Sequence, residues 1–426
     1  MIRSLREKGV RLSLWMFPYV QAIDPEGRIS LQFKTMADRG YLVKGPDGKP
    51  RIFSPGEGDV DAWKVAALDF TNPALVEYMK GRIKRLMHMG VGVMKTDFSE
   101  ELPEDSVFFD GSTGLTSHNK YPLLYAKTIY EASREAKEEM GEKALLWGRS
   151  GYAGSQNYPA NWAGDSSASK NNLHAILTGG LNMGISGVSF WGFDIGGFYN
   201  CDYSGTRVIP EDEEYIRSVQ MGLMSPLSRS HGQSTPREPW VYSETAQRAF
   251  LKINKLRYRM LPYLYSTAYE TVRDGIPMMR SMLLEYPENR NARSLSTQYM
   301  LGANLLVAPV FDQPRHHVYL PQGSWIDLET GKRIANPGCH ASGFISTVCP
   351  LVANGVIPAD FPLTAYSLTG YSGGGKSLIA EYEDENRDPR HESHRIYGLP
   401  LQHKHLPEMQ QVCGLSQPPV FSPILG

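Results

Sequence analysis

Only four cysteines, Cys201, Cys339, Cys349 and Cys413, occur in the 426 residues, and no C-x-x-C pair is among them. Neither a disulfide framework nor a thiolate zinc site is therefore indicated, and a reducing, cytoplasmic location is expected. Long apolar runs are missing as well: no stretch approaches the ~20 residues that a membrane helix requires. Nor is there a surplus of one charge, since 44 Lys and Arg stand against 45 Asp and Glu. Without a net field to attract phosphates or acidic lipid, neither nucleic acid nor a membrane is expected as a partner. No repeat of fixed period is visible. The apolar share of 41% is that of a folded globular chain, and the length exceeds what one packed core usually holds, so two or three domains are expected.

The first twenty residues imitate a signal peptide, with Arg3, Arg6 and Lys8 ahead of the apolar Leu12 to Phe17. No small-residue cleavage site follows, and the stretch reads equally well as a helix end, Gly9 and a strand. From residue 1 to about 275, short apolar runs alternate with longer amphipathic stretches, the rhythm of a parallel α/β sheet. Val10 to Trp15, Val91 to Met94, Ala144 to Trp147 and Val188 to Trp191 are the strand candidates. Pro73 to Met89, stopped by Gly90, and Tyr121 to Met140, stopped by Gly141, are helix candidates, and 246–274 is a helical region broken at Pro262. After Gly275 the texture turns to short β-rich segments at Asn304 to Phe311, His317 to Leu320 and Trp325 to Leu328. Asp360 to Glu385 also reads as strand, whereas the last forty residues show no clear periodicity and are expected to be poorly ordered.

In a parallel barrel the reactive groups sit just past the carboxyl ends of the strands. Three acids fall there: Asp97 in Lys95-Thr96-Asp97-Phe98-Ser99-Glu100, Asp165 in Asn161-Trp162-Ala163-Gly164-Asp165, and Asp194 in Trp191-Gly192-Phe193-Asp194. Each has an aromatic neighbour. Rings beside acids suit a sugar, whose C–H faces stack while its hydroxyls bond to charged groups, and paired carboxylates suit glycosidic cleavage. The same acids could hold a divalent cation, and any one alone could simply cap a helix or pair with an arginine.

Read in order, Leu14-Trp15-Met16-Phe17-Pro18-Tyr19, Lys95 to Glu100, Arg149-Ser150, Trp162-Ala163-Gly164-Asp165, Asp194-Ile195-Gly196-Gly197-Phe198 and Arg229-Ser230-His231-Gly232 resemble successive strand-end motifs of glycoside hydrolase family 31. The similarity runs from about residue 1 to 335, and the Lys-Thr-Asp-Phe form resembles the family's α-xylosidases more than its α-glucosidases. The resemblance implies a (β/α)8 TIM-type barrel followed by C-terminal all-β sandwich domains, divided as 1–275, 276–350 and 351–426. It implies Asp97 as nucleophile and Asp165 as general acid/base of a retaining α-glycosidase that removes non-reducing terminal α-xylosyl residues from oligosaccharides. Lys95, Arg149 and His231 would bond to sugar hydroxyls, Trp15, Phe98, Trp162 and Trp191 would wall the subsite that holds the scissile sugar, and Asp194 would orient its neighbours or a hydroxyl. No metal and no organic cofactor is implied.

Family members carry an N-terminal β-sandwich and two barrel strands before the segment matching Val10 to Trp15, so the barrel is expected to be incomplete and the chain a fragment. An open barrel could close by pairing with a second copy, which makes a homo-oligomer one expected state. Gly355 to Pro358, Asp360 to Thr364 and Ile379 to Glu385 resemble the family's distal β-domain; residues after about 386 do not. An α-glucosidase and a non-catalytic fragment remain open as alternatives. Gly370 to Ser377 satisfies the phosphate-loop spacing, but no βαβ series surrounds it and a Gly-rich turn is expected. His391, His394, His403 and His405 are read as a solvated tail rather than a metal site.

Overall fold

The computed structural model describes all residues except 25, 56–62, 202–205, 207, 312–316, 335–338, 372–375, 397–401 and 426. It divides into two compact units, Met1–Tyr319 and Leu320–Gly426. In the first unit, strands β1 (Ser13–Met16), β2 (Val93–Thr96), β3 (Leu146–Gly148), β4 (Asn161–Trp162) and β5 (Trp191–Gly192) pair in that order as one parallel sheet. After a break at Phe193 the same segment continues as β6 (Asp194–Ile195), which pairs in parallel with β7 (Arg229–Ser230). Parallel neighbours require crossovers, and helices supply them. Helix α1 (Pro73–His88) lies between β1 and β2, α2 (Tyr121–Glu139) between β2 and β3, α3 (Lys170–Ile185) between β4 and β5, and α4 (Asp212–Leu223) between β6 and β7. This is the expected α/β barrel; among the described residues β1 is at the edge of its sheet and is bonded to β2 alone. The signal-like stretch is part of it, as helix Ile2–Glu7 and then β1.

The local signals work as physical chemistry requires. At the start of α1 the Asn72 side chain accepts from the Ala74 N–H while Pro73 needs no partner for its nitrogen. Leu75, Met79, Ile83 and Met87 then recur every four residues and bury one stripe against the sheet. Gly90 ends the helix with φ +104°, which a side chain would resist. A small antiparallel excursion, Tyr19–Gln21, Ile52–Phe53 and Val65–Ala67, leaves the barrel between β1 and α1. Helices Glu244–Arg259 and Leu261–Asp274 lead into an antiparallel sheet of Met279–Ser281, Tyr299–Leu301 and Leu305–Val307.

In the second unit Trp325–Ile326 pairs with Arg333–Ile334. Thr364–Thr369 runs parallel to Val420–Leu425, which is antiparallel to Arg395–Ile396. Two local expectations change here. Asp360 to Glu385 is strand only over Thr364–Thr369; Lys376–Glu383 forms a helix, since Leu, Ala and Glu are good helix formers and Gly370 breaks the alternation. Nor is the tail irregular throughout: Leu406–Cys413 is a helix burying Leu406, Met409 and Cys413 on one face, ended by Gly414, and a six-residue strand follows. The phosphate-loop look-alike has its centre, 372–375, outside the described residues.

One close approach ties helix to sheet in the barrel. A Cβ built on Gly180 in α3 would lie 1.7 Å from the indole ring of Trp191. Gly180→Ala must therefore displace a fully buried tryptophan, and is expected to cost at least the ~1–3 kcal/mol of an overpacked core. A fall in the urea midpoint with an unchanged slope would register it, whereas Gly179→Ala, exposed in the same helix with nothing within 4 Å, should raise the midpoint, by the ~0.5–1 kcal/mol that alanine gains over glycine there.

Candidate active site

Register bonds bring the strand ends level. The Asp97 N–H donates to the Met16 carbonyl (2.9 Å), Arg149 to Thr96 (3.1 Å) and Ala163 to Gly192 (3.0 Å). The residue after each strand therefore faces one mouth. Immediately past Asp97, Phe98 and Ser99 both take left-handed conformations, with φ +57° and +86°. Such strain, about 1 kcal/mol or more per residue, persists only where the surroundings impose it. Here the Ser150 hydroxyl holds the Phe98 carbonyl at 2.7 Å, and the Phe98 N–H donates to Asp97 Oδ1 at 2.9 Å.

Asp97 is nearly enclosed, with 8% of its side chain exposed. Trp15 Nε1 donates to its Oδ2 at 2.6 Å, Lys95 Nζ stands 3.7 Å from the same oxygen, and Arg149 Nη1 is 3.0 Å from Oδ1. That same Nη1 lies 3.7 Å from Asp165 Oδ2. One nitrogen thus spans the two acids, and their oxygens can be no farther apart than the sum of those distances, a limit that admits the ~5–5.5 Å spacing of retaining glycosidases. Asp165 is the wetter carboxylate, at 36% exposure. Burial nonetheless raises its pKa, Arg149 opposes the rise, and Asp97 adds to it. Glu100 receives the rest of the guanidinium: Arg149 Nε donates to it at 2.6 Å, Nη2 also reaches it, and Ser150 Oγ donates to its other oxygen at 2.8 Å. The guanidinium carbon lies 4.3 Å from the Phe98 ring centre.

A second, deeper cluster adjoins the first. Lys95 Nζ sits 4.4 Å from the Trp162 ring, and burial, with Arg229 second, lowers its pKa. Arg229 lies over Trp147 and Trp162 and is ion-paired with the fully buried Asp194. Burial lifts Asp194 to about 6 against the pull of Arg229. Buried Asp194 Oδ2, Arg229 Nε and the Nε1 atoms of Trp147 and Trp162 have no protein hydrogen-bond partner. Orphaned donors and an acceptor in one cluster suit a ligand that offers both, as a hydroxylated ring does. His231 is half-buried beside Phe198, with ring centres 5.6 Å apart. Burial, reinforced by Arg229 and Lys95, pushes its pKa down to about 4.

Of the expected site residues, Trp15, Lys95, Asp97, Phe98, Arg149, Trp162 and Asp165 converge on this mouth, with Asp194 and His231 adjoining. Trp191 does not: it packs against Gly180 in the core and does not line the cavity at this mouth, whereas Trp162, equally buried, does. Two participants went unnamed, Glu100 and Arg229. Each lies in a motif already singled out, Glu100 three residues after Asp97 and Arg229 two before His231, and their charge at a strand end was the signal available. Among the described residues, no group of three or more His, Cys, Asp or Glu is placed to hold a metal ion. Because unfolding returns His231 to about 6.5, its contribution to stability is present above that pH and is lost as pH falls toward 4. Labelled-histidine NMR should find the His231 titration midpoint near 4 in the folded chain, and a midpoint near 6.5 would contradict the burial described.

Comparison with known proteins gives the family. The Glycosyl hydrolases family 31 TIM-barrel domain matches residues 1–267, and the Glycosyl hydrolase family 31 C-terminal domain matches 275–357. A different domain, the Semialdehyde dehydrogenase dimerisation domain, matches 339–426, overlapping the stretch where distal β-domain likeness was expected. An alpha-xylosidase of Emericella nidulans is 39% identical over 75% of this chain and 39% of its own length. Alpha-xylosidase XylQ of Lactiplantibacillus pentosus is 36% identical over 78% of this chain and 42% of its own. A family 31 sulfoquinovosidase from E. rectale superposes with a TM-score of 0.68 at 28% identity, covering 78% of this chain and 49% of that one. The chain thus spans less than half the length of these relatives. By the match of its barrel from residue 1 to 267, this chain belongs to glycoside hydrolase family 31.

Proposed function

We propose that the barrel carries the machinery of a retaining α-glycosidase acting on non-reducing terminal α-xylosyl residues of oligosaccharides, with Asp97 as nucleophile and Asp165 as acid/base. The observation that supports this most is the shared guanidinium nitrogen of Arg149, which keeps two carboxylates of unequal exposure within one sugar ring's reach. Asp97, surrounded by Trp15, Lys95 and Arg149, is equipped to be the charged partner. Asp165, with its raised pKa, is equipped to hold a proton.

In the first step an Asp97 oxygen attacks the anomeric carbon while Asp165 gives its proton to the departing glycosidic oxygen, leaving a glycosyl ester and a free alcohol. Esterification removes the negative charge of Asp97. The part of the rise in the Asp165 pKa that came from Asp97 disappears, so the attraction of Arg149 is opposed mainly by burial and the pKa falls. Asp165 then becomes a carboxylate able to take a proton from water, which attacks the ester and frees the sugar. The xylose preference rests on the Lys-Thr-Asp-Phe sequence and on the alpha-xylosidases among the similar proteins. Alpha-glucosidase 2 of Bacillus thermoamyloliquefaciens, 28% identical over 91% of this chain, keeps terminal glucose as the second reading.

Hydrolysis of an aryl α-xyloside against an aryl α-glucoside by this chain separates the two sugars; turnover of neither would end the proposal. Asp97→Ala should lose turnover by about 10³-fold or more, as removal of a nucleophile does. Asp165→Ala should lose ~10²–10⁴-fold on a sugar leaving group and far less on a nitrophenyl one, which departs without a proton. In the unsubstituted chain kcat/KM should fall as pH rises through the raised pKa of Asp165, and that alkaline limb should vanish in Asp165→Ala with the nitrophenyl substrate. Glu100→Gln, which frees Arg149 from its charged partner, should lower kcat/KM about tenfold or more.

A further inference from the structure

Helices Cys339–Ala353 and Leu406–Cys413 pack together in the second unit, and Ala341, Phe344 and Val348 of the first share one apolar core with Leu406, Met409 and Cys413 of the second. Cys349, partly exposed, lies against this core. Its Sγ is 3.6 Å from the carbonyl of Val412, an oxygen of the peptide group that Val412 shares with Cys413. The buried Cys413 thiol is within hydrogen-bond reach of the Cys349 thiol. Two thiols thus meet at one helix contact, and solvent reaches only one of the two residues well.

We infer that Cys349 and Cys413 form a modification site for small-molecule disulfides: Cys349 captures such a molecule, and Cys413 displaces it to leave a Cys349–Cys413 bond across the two helices. The inference stands apart from the glycosidase reading, whose residues all lie in the first unit. In the first exchange the Cys349 thiolate attacks one sulfur of the incoming disulfide, whose own S–S bond breaks and releases a thiolate that takes up a proton. In the second, Cys413 gives up its proton and attacks the Cys349 sulfur, and a second small thiol departs. Two protein thiols are oxidised, and one disulfide is reduced to two thiols.

The order of events follows from the surroundings. The more accessible thiol is the one an external reagent meets, so Cys349 acts first. Burial, and then the neighbouring Cys349 thiol, push Cys413 up to about 11, which keeps it protonated and inert toward reagents in solution. Once Cys349 is capped it no longer ionises, and its share of that rise is gone. The backbone gives on both sides of the contact. Pro350, inside the first helix and next to Cys349, has no N–H for the carbonyl four residues back. Cys413 is the last residue of its helix, and Gly414 follows with φ +68°. These two ends of slack let the sulfurs close from contact to the ~2.05 Å of a bond.

The test treats the reduced full chain with oxidised glutathione, alkylates the remaining thiols and reads linked peptides by mass spectrometry. The expected product is one peptide pair joining Cys349 to Cys413, in a chain lighter by two hydrogens and restored by dithiothreitol. Because the bond closes a loop of more than sixty residues, the melting temperature of the second unit should rise by about 5 °C or more. Cys413→Ala should stop halfway, with glutathione retained on Cys349, and Cys349→Ala should leave Cys413 unmodified. Glutathione retained on Cys349 of the unsubstituted chain, Cys349 joined to Cys201, Cys339 or a second copy, or an unreacted Cys349 would each overturn the inference. Should Cys413→Ala fail to fold, the peptide map of the unsubstituted chain decides alone.

Discussion

A single guanidinium holds the chemistry together. Arg149 contacts Asp97, Asp165 and Glu100, three acids brought from two different strand ends. Its planar fork offers several donors at fixed angles, so a cation of this shape sets the spacing of the carboxylates as well as neutralising them, which the point charge of a lysine could not do. Three acids this close would otherwise repel one another. With Arg149 between them, Asp97 and Asp165 can differ. One is enclosed by donors and the other is open at the rim, a difference that suits the double displacement proposed for them.

The fold supplies the frame for that arginine. Because β2 and β3 run parallel and in register, Arg149 follows Gly148 at the level where Asp97 follows Thr96. Helix α2 is fastened beside them through tyrosine hydroxyls: Tyr121 reaches the carbonyl of Leu68, just past the excursion strand Val65–Ala67, and Tyr125 that of Met16, the last residue of β1, at 3.2 Å. Below the mouth, Lys95, Arg229 and Asp194 form a buried alternation of charge packed among Trp147 and Trp162. Such groups are costly to bury and tolerable only when they answer one another or a ligand. Their unpartnered atoms make that cluster a floor suited to hydroxyls.

The chain is also composite. Its barrel and the adjoining sheet match glycoside hydrolase family 31, while residues 339–426 match a semialdehyde dehydrogenase dimerisation domain. The second unit has its own core, formed by Ala341, Phe344, Val348, Met409 and Phe421 among others. Every residue proposed for glycosidase chemistry lies before residue 232, within the first unit.

Much of this was legible in the sequence where the signal was local. Asn72-Pro73 at one end and Gly90 at the other bounded α1 to within a residue, because caps act through neighbouring atoms. The strand-end acids were legible because a parallel barrel puts the residue after each strand at one mouth. Leu406, Met409 and Cys413 carried helical spacing ahead of Gly414, yet the surrounding His, Pro and Gln masked it. Sequence by itself determined the order of elements, the family and the acids, since periodicity, caps and motif spacing are properties of neighbours along the chain. Only the tertiary structure decided that Trp191 is core, that Glu100 and Arg229 belong to the site, and that one guanidinium nitrogen stands between Asp97 and Asp165. Those outcomes depend on packing and on distances between residues tens of positions apart, and such contacts have no counterpart in local composition.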